Sequence, residues 1–128
     1  MPDPAGFPPI EPGEIYWANP TDTVGSEQSF DRPYVIMSRL SLNSGQTVVV
    51  VPLSTRMEKA KKQPAFCIRL PASEIIPVVG AIPSVDSVAL CHQVRVFDRT
   101  RLRKKYGKLT LSAVLSVQLG LSYLFNIQ

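Results

Sequence analysis

Arg32 opens the run Arg32-Pro33-Tyr34-Val35-Ile36-Met37 directly after a polar stretch, so its guanidinium can project where a loop ends and a strand begins. A guanidinium stays protonated at any physiological pH and matches phosphate oxygens in a two-pronged fashion. The competing use for Arg32 is an ion pair with its neighbours Asp31 or Glu27. A second cluster, Ser54-Thr55-Arg56, ends a long β-branched run and brings two hydroxyls and a guanidinium to a strand end. The same three residues in an ordinary solvated turn would have no task. His92 is the only histidine in the chain, which excludes the two-histidine acid–base pair of some ribonucleases. No P-loop, GxGxxG, HExxH or GxSxG pattern occurs. The two cysteines, Cys67 and Cys91, lie 24 residues apart with no CxxC pair and no histidine cluster. They are expected as buried free thiols in strands rather than as a zinc site, a redox motif or a disulfide. No metal or cofactor is expected.

Several short elements must position these residues. Five of the twelve prolines fall in the first twelve residues, so residues 1–12 are expected as an extended proline-rich flexible tail ahead of a domain at 13–128. Glu14–Ala18 alternates with the period of a half-buried strand, Asn19–Asp31 is a long polar loop, and Pro33–Met37 is a second strand. Thr47–Leu53 is a continuous apolar run and the expected central strand. Residues 54–64 form a basic loop or short helix, Ala65–Leu70 and Asp86–Val96 supply further strands, and a proline-punctuated connection joins them. Asp98 is expected to cap a short basic helix that carries Arg99, Arg101, Arg103, Lys104 and Lys105 and closes at Gly107. Thr110 is expected to cap a final helix reaching about Leu124, with Ala113, Val114, Val117, Leu121, Leu124 and Phe125 on one arc. Leu115 and Leu119 fall outside that arc, either for a partner or under a loop. About five bent antiparallel strands and a terminal helix make a small barrel, mainly β with α.

Charge is divided along the chain. Residues 1–31 hold six acids and no Lys or Arg, whereas residues 32–128 hold all fourteen Lys and Arg against four acids. A segment of −6 and a body of +10 therefore make up the net +4, and the body suits polyanions or acidic proteins. With 45% apolar residues and a mean hydropathy of +0.07, a chain of this length builds one core and is not globally disordered. No signal peptide is legible, and Leu109–Gln128, though uncharged, is too rich in Ser, Thr, Asn and Gln for a membrane span. A cytoplasmic, reducing compartment is expected, with no membrane partner.

Gly13-Glu14-Ile15-Tyr16-Trp17, then Gly25-Ser26-Glu27-Gln28 and Arg32-Pro33, resembles the opening of MazF/PemK-type toxin endoribonucleases. Pro52-Leu53-Ser54-Thr55, Asp86-Ser87-Val88, Gln93-Val94-Arg95, Asp98-Arg99 and Arg101-Leu102 continue the pattern in order, over about residues 13–124. The resemblance implies an SH3-like barrel with a C-terminal helix, a homodimer, and metal-independent cleavage of single-stranded RNA at a short motif. It further implies attack of the 2′-OH on the adjacent phosphate, giving 2′,3′-cyclic phosphate and 5′-OH ends, and neutralisation by an acidic MazE-type antitoxin. The family's arginine matches Arg32 and its strand-end hydroxyl matches Ser54, with Thr55 beside it. Two candidates for the general base stand open. Glu27 lies in the matched loop. His92, where many relatives carry an acid, either moves a proton, contacts RNA or hydrogen-bonds to backbone; an unperturbed imidazole titrates near pH 6.5, which suits proton transfer. Arg56, Lys59, Lys61, Lys62, the basic stretch at 99–105, and Gln93 and Arg95 of the matched motif are the expected RNA contacts. Phe30 in the polar loop is the aromatic expected to stack a base, Trp17 and Tyr34 being expected in the core. Two other readings compete. A gyrase-binding toxin of the CcdB type shares the fold but depends on a Trp-Gly-Ile ending, where this chain has Phe125-Asn126-Ile127-Gln128. A catalytically inactive RNA- or protein-binding module is the other.

Overall fold

The computed structural model describes residues 9–19, 31–78 and 85–127. Within them the chain runs β1 (Glu14–Ala18), β2 (Arg32–Ile36), α1 (Leu40–Asn43), β3 (Thr47–Ser54), α2 (Glu58–Lys62), β4 (Cys67–Leu70), β5 (Ile75–Pro77), β6 (Ser87–Leu90), β7 (Arg95–Asp98), β8 (Leu102–Leu109) and α3 (Leu111–Leu124). The strands form a curled antiparallel half-barrel in the order β4-β6-β3-β2-β1-β8-β5, with β7 also paired to β3. The expected mainly-β class with a C-terminal helix holds. The strand count among the described residues is eight, not five.

The alternation of β2 and β3 builds two cores, one on each face of the sheet. Val35, Val51 and Leu53 pack with Ile15 against Ala113, Val114 and Val117 of α3. Tyr34, Ile36, Val48 and Val50 point the other way and pack with Ile10 and Phe97. A strand buried on both faces reads as the unbroken apolar run seen at Thr47–Leu53. Ile10 is buried and its carbonyl accepts a 2.7 Å hydrogen bond from Asn43 Nδ2, so the packed body begins inside the expected proline-rich tail. Residues 1–8 lie outside the described part, as does most of the Asn19–Asp31 loop.

Several local expectations are corrected. Asp98 does cap a turn, its side chain accepting from Thr100 N, but that turn is a single 3-10 unit at Arg99–Arg101. The rest of the expected basic helix, Arg103, Lys104 and Lys105 included, is strand β8, paired with β1 and β5. Lys and Arg favour helix locally, yet ladder pairing on both sides overrides that weak preference. Gly107 closes no helix; it lies inside β8, where a Cβ would collide with the Ile76 carbonyl oxygen of β5. β5 itself lies in the proline-rich connection, with Pro77 as its last residue and no place in a central ladder. The stretch Asp86–Val96 is broken by a 3-10 turn at Cys91–Gln93. α3 follows its expected bounds, with Thr110 Oγ1 accepting from Ala113 N at its start. Leu115 and Leu119 are 51% and 71% exposed, and so is much of Phe125, which had been placed on the buried arc. Both cysteines are free and buried. Cys67 packs with Val88 and Leu90 while Cys91 packs with the helix-side core, so the β4–β6 sheet separates the two thiols. Burial raises both thiol pKa values, that of Cys91 to about 12, which keeps them protonated.

Candidate active site

Strand β3 positions the site by changing partners. Thr47–Val50 pairs with β7, whereas Leu53 and Ser54 pair with Ala89 and Val88 of β6. The handover falls at Val51–Pro52, where proline has no N–H to give to a ladder. On its other edge β3 faces β2, with Tyr34 opposite Pro52. The same register continued two residues brings Arg32 level with Ser54. Both residues line a cleft of about 370 Å³ at the place where the sheet splits.

The floor of this cleft is aromatic. Trp17 and Tyr106 line it and meet edge to face at 5.5 Å. Its cationic side is Arg32, Arg56 and Lys59, with Ser54 and Thr55 between them, and no carboxylate is among its described lining residues. Of the two alternative partners of Arg32, Asp31 pairs with Arg103 at 3.4 Å and Glu27 lies outside the described residues. Ser54 Oγ accepts a 3.1 Å hydrogen bond from Arg56 N, which orients the hydroxyl and leaves its proton available to a ligand. Arg56 Nε pairs with Glu58 at 3.0 Å, both side chains being well exposed.

Behind β2, Tyr34 is buried in the second core, edge to face with Phe97 at 4.8 Å. Burial raises the Tyr34 pKa, and the guanidiniums of Arg95, Arg32 and Arg101 oppose that rise.

The remaining sequence candidates are distributed as follows. Lys59 lines the cleft, Lys62 lines a neighbouring hollow, and Lys61 lines a third with Arg69 and Asp86. The one turn of α2 thus points its lysines in different directions. His92 does not line the cleft; it lies in the neighbouring hollow, with Nδ1 3.8 Å from Cys67 Sγ. Gln93 is exposed in the same 3-10 turn. Arg95 stacks over the Phe97 ring at 4.8 Å and does not line the cleft either. Glu27 and Phe30 lie outside the described residues. Two cleft residues differ from expectation: Trp17, expected in the core, and Tyr106, which lies in strand β8 where a basic helix is expected. Among the described residues, no group of three or more His, Cys, Asp or Glu is placed to hold a metal ion, and no helix is long and apolar enough to cross a membrane.

Solved structures share this architecture. A MazE–MazF complex from Deinococcus radiodurans aligns with a TM-score of 0.68 at 22% identity, covering 95% of this chain and 100% of that one. A MazF toxin from Mycobacterium tuberculosis aligns at 0.66 and 16% identity, covering 90% and 98%. A mycobacterial endoribonuclease in complex with its cognate antitoxin aligns at 0.62 and 12% identity, covering 95% and 98%. At these identities the likeness carries the fold. Residues 11–125 match the sequence family described as the PemK-like, MazF-like toxin of type II toxin–antitoxin systems. That match spans nearly all of the described barrel, and the chain belongs to this toxin family.

Proposed function

We propose that this chain is an endoribonuclease toxin that cuts single-stranded RNA at a short sequence motif and is neutralised by an acidic MazE-type antitoxin. The observation that carries the reading is the meeting of Arg32 and Ser54, 22 residues apart in sequence, in one cleft that Arg56 and Lys59 also line. The 2′-OH attacks the adjacent phosphorus in line. The bond to the 5′-oxygen breaks, leaving a 2′,3′-cyclic phosphate and a 5′-OH. Negative charge accumulates on the non-bridging oxygens in the transition state, where the Arg32 guanidinium stabilises it without a metal. The Ser54 hydroxyl donates to the same phosphate and fixes its orientation. Thr55, Arg56 and Lys59 hold the flanking phosphates, and Trp17 and Tyr106 offer ring surfaces to a base.

The proposal takes Glu27, on the loop that leads into Arg32, as the general base, and His92, which lines the neighbouring hollow, as a residue outside the chemistry. The toxin works as a homodimer in the cytoplasm. An acidic antitoxin segment competes with RNA for the same cations.

Purified protein incubated with a long single-stranded RNA in EDTA, followed by mapping of 5′ ends, tests the reading. Discrete cuts with 5′-OH ends, lost in Arg32→Ala, are the expected result. Intact RNA with folded protein overturns it.

A further inference from the structure

The hollow that holds His92 adjoins the cleft, Lys59 lining both. It measures about 450 Å³ and is lined by Lys59, Lys62, Gln63, Cys67 and His92. No carboxylate is among the described lining residues of either. A polyanion leaving the cleft past Lys59 therefore passes from one cation-lined wall to the next. Beside the hollow stands a row of rings. The Phe66 ring lies 6.4 Å from that of His92 and 5.4 Å from that of Tyr123 on α3. Tyr123 is 62% exposed, and His92 is exposed as well. The Sγ of buried Cys67 lies 3.8 Å from His92 Nδ1. The amide of Gln63 adds a donor and an acceptor suited to a base edge. Lysines beside exposed rings are the combination that holds unstacked nucleotides.

We propose that this hollow is a second nucleotide subsite: the base of a nucleotide flanking the scissile one stacks on the His92–Phe66–Tyr123 row while its phosphate rests on Lys59 and Lys62. The proposal builds on the reading of the cleft as an RNA-cleaving site, and it assigns His92 to holding RNA rather than to moving a proton. It favours RNA over an acidic peptide because the row offers ring faces to planar bases, which a peptide carboxylate does not need.

Two synthetic RNAs cut down from a mapped cleavage site test it, one ending next to the scissile nucleotide and one extended by six nucleotides. The longer RNA is expected to show the lower KM. Tyr123→Ala and His92→Ala, both at exposed rings, are each expected to raise the KM of the longer RNA by about 5- to 100-fold, the range for loss of one stacked base. Leu119→Ala, on the same helix but off the ring row, leaves that KM unchanged. An unchanged KM in both ring variants overturns the subsite. A loss in kcat that falls equally on the short and long RNAs also overturns it, because His92 would then act in the chemistry. So does weakened capture of a synthetic Asp/Glu-rich peptide with RNA kinetics intact, which would assign the hollow to a protein partner. If the wild-type protein cuts neither RNA, the endoribonuclease reading fails by itself. Fluorescence anisotropy with the longer RNA carrying a 2′-deoxy scissile nucleotide then decides the subsite: weaker binding by Tyr123→Ala supports it and equal binding overturns it.

Discussion

The Arg32–Ser54 cleft and the hollow around Glu14 differ less in size than in how their charges are satisfied. The Glu14 hollow is the wider, about 790 Å³ against 370 Å³, and lies between β1, β8 and the start of α3. Two acids, Glu11 and Glu14, face two lysines there, Lys105 and Lys108. Glu14 is saturated: Lys105 Nζ reaches it at 2.8 Å, the Tyr16 hydroxyl at 3.0 Å and Glu11 N at 3.2 Å. Burial and the Glu14 carboxylate both raise the Tyr16 pKa, so the phenol remains a donor. The Glu14–Lys105 pair at its centre is matched within the chain, and its work is to tie β1 to β8. In the cleft, Arg32 and Lys59 meet no acid among the described lining residues, so their field is directed at whatever enters. Uncompensated charge, rather than volume, separates a site for a ligand from a brace within the fold.

Exchanging the two cations tests this distinction most severely. Arg32→Ala is expected to lower the RNA cleavage rate by about 10²–10³, as the loss of an oxyanion-hole donor does. Lys105→Ala is expected to leave the rate per folded molecule unchanged while lowering the melting temperature. A large rate loss in the lysine variant would erase the contrast. Ser54→Ala is expected next, with cleavage reduced by roughly 10- to 100-fold, the equivalent of one charge-assisted hydrogen bond of about 1.5–3 kcal/mol. RNA binding measured by anisotropy stays close to wild type, because Ser54 orients a phosphate that Arg32 and Lys59 already hold. Unchanged turnover would remove Ser54 from the mechanism.

Glu14→Gln probes the other side of the comparison. The neutral amide weakens the ion pair with Lys105 and the bond from Tyr16, and denaturant unfolding should register a loss of about 1–3 kcal/mol. Cleavage by the folded fraction should not change. A stability loss within error would mean that the Glu14 hollow is no brace.

What could be read from the chain alone depended on how local each signal was. α3 was legible because its cap and its spacing are written within 15 consecutive residues, from Thr110 to Leu124. β8 was not, because its pairing partners lie some ninety residues upstream in β1 and thirty in β5, and its lysines locally favour a helix. β5 was hidden in the same way by the prolines around it. The outward faces of Leu115 and Leu119 could not be settled by periodicity, which fixes an arc but not what covers it. At the site, each half was visible as a residue type, an arginine after a loop and hydroxyls at a strand end. That they meet follows from the β2–β3 register, which no short window contains. The place of His92 was hidden for the same reason: the 3-10 turn after β6 carries it into the neighbouring hollow.

The smallest expected effect concerns Arg56, a cleft cation paired with Glu58. Its pair with Glu58 is exposed on both sides, so it resembles the surface ion pairs that contribute little to stability. The Glu58 carboxyl pKa is lowered, first by a hydrogen bond from its own backbone N–H and then by Arg56. A depressed carboxylate keeps its partner at neutral pH and releases it only as pH falls through that lowered value. At the pH of an RNA cleavage assay the pair is therefore intact, and Arg56 divides its donors between Glu58 and a phosphate. Glu58→Gln should leave the melting temperature unchanged and tighten RNA binding by a few-fold, roughly 2 to 5, with the gain shrinking as salt is added. A gain that persists at high salt would point to a contact of another kind. Weaker binding would mean that Glu58 positions Arg56 for the phosphate instead of competing with it, and the cleft would then share one feature with the Glu14 brace.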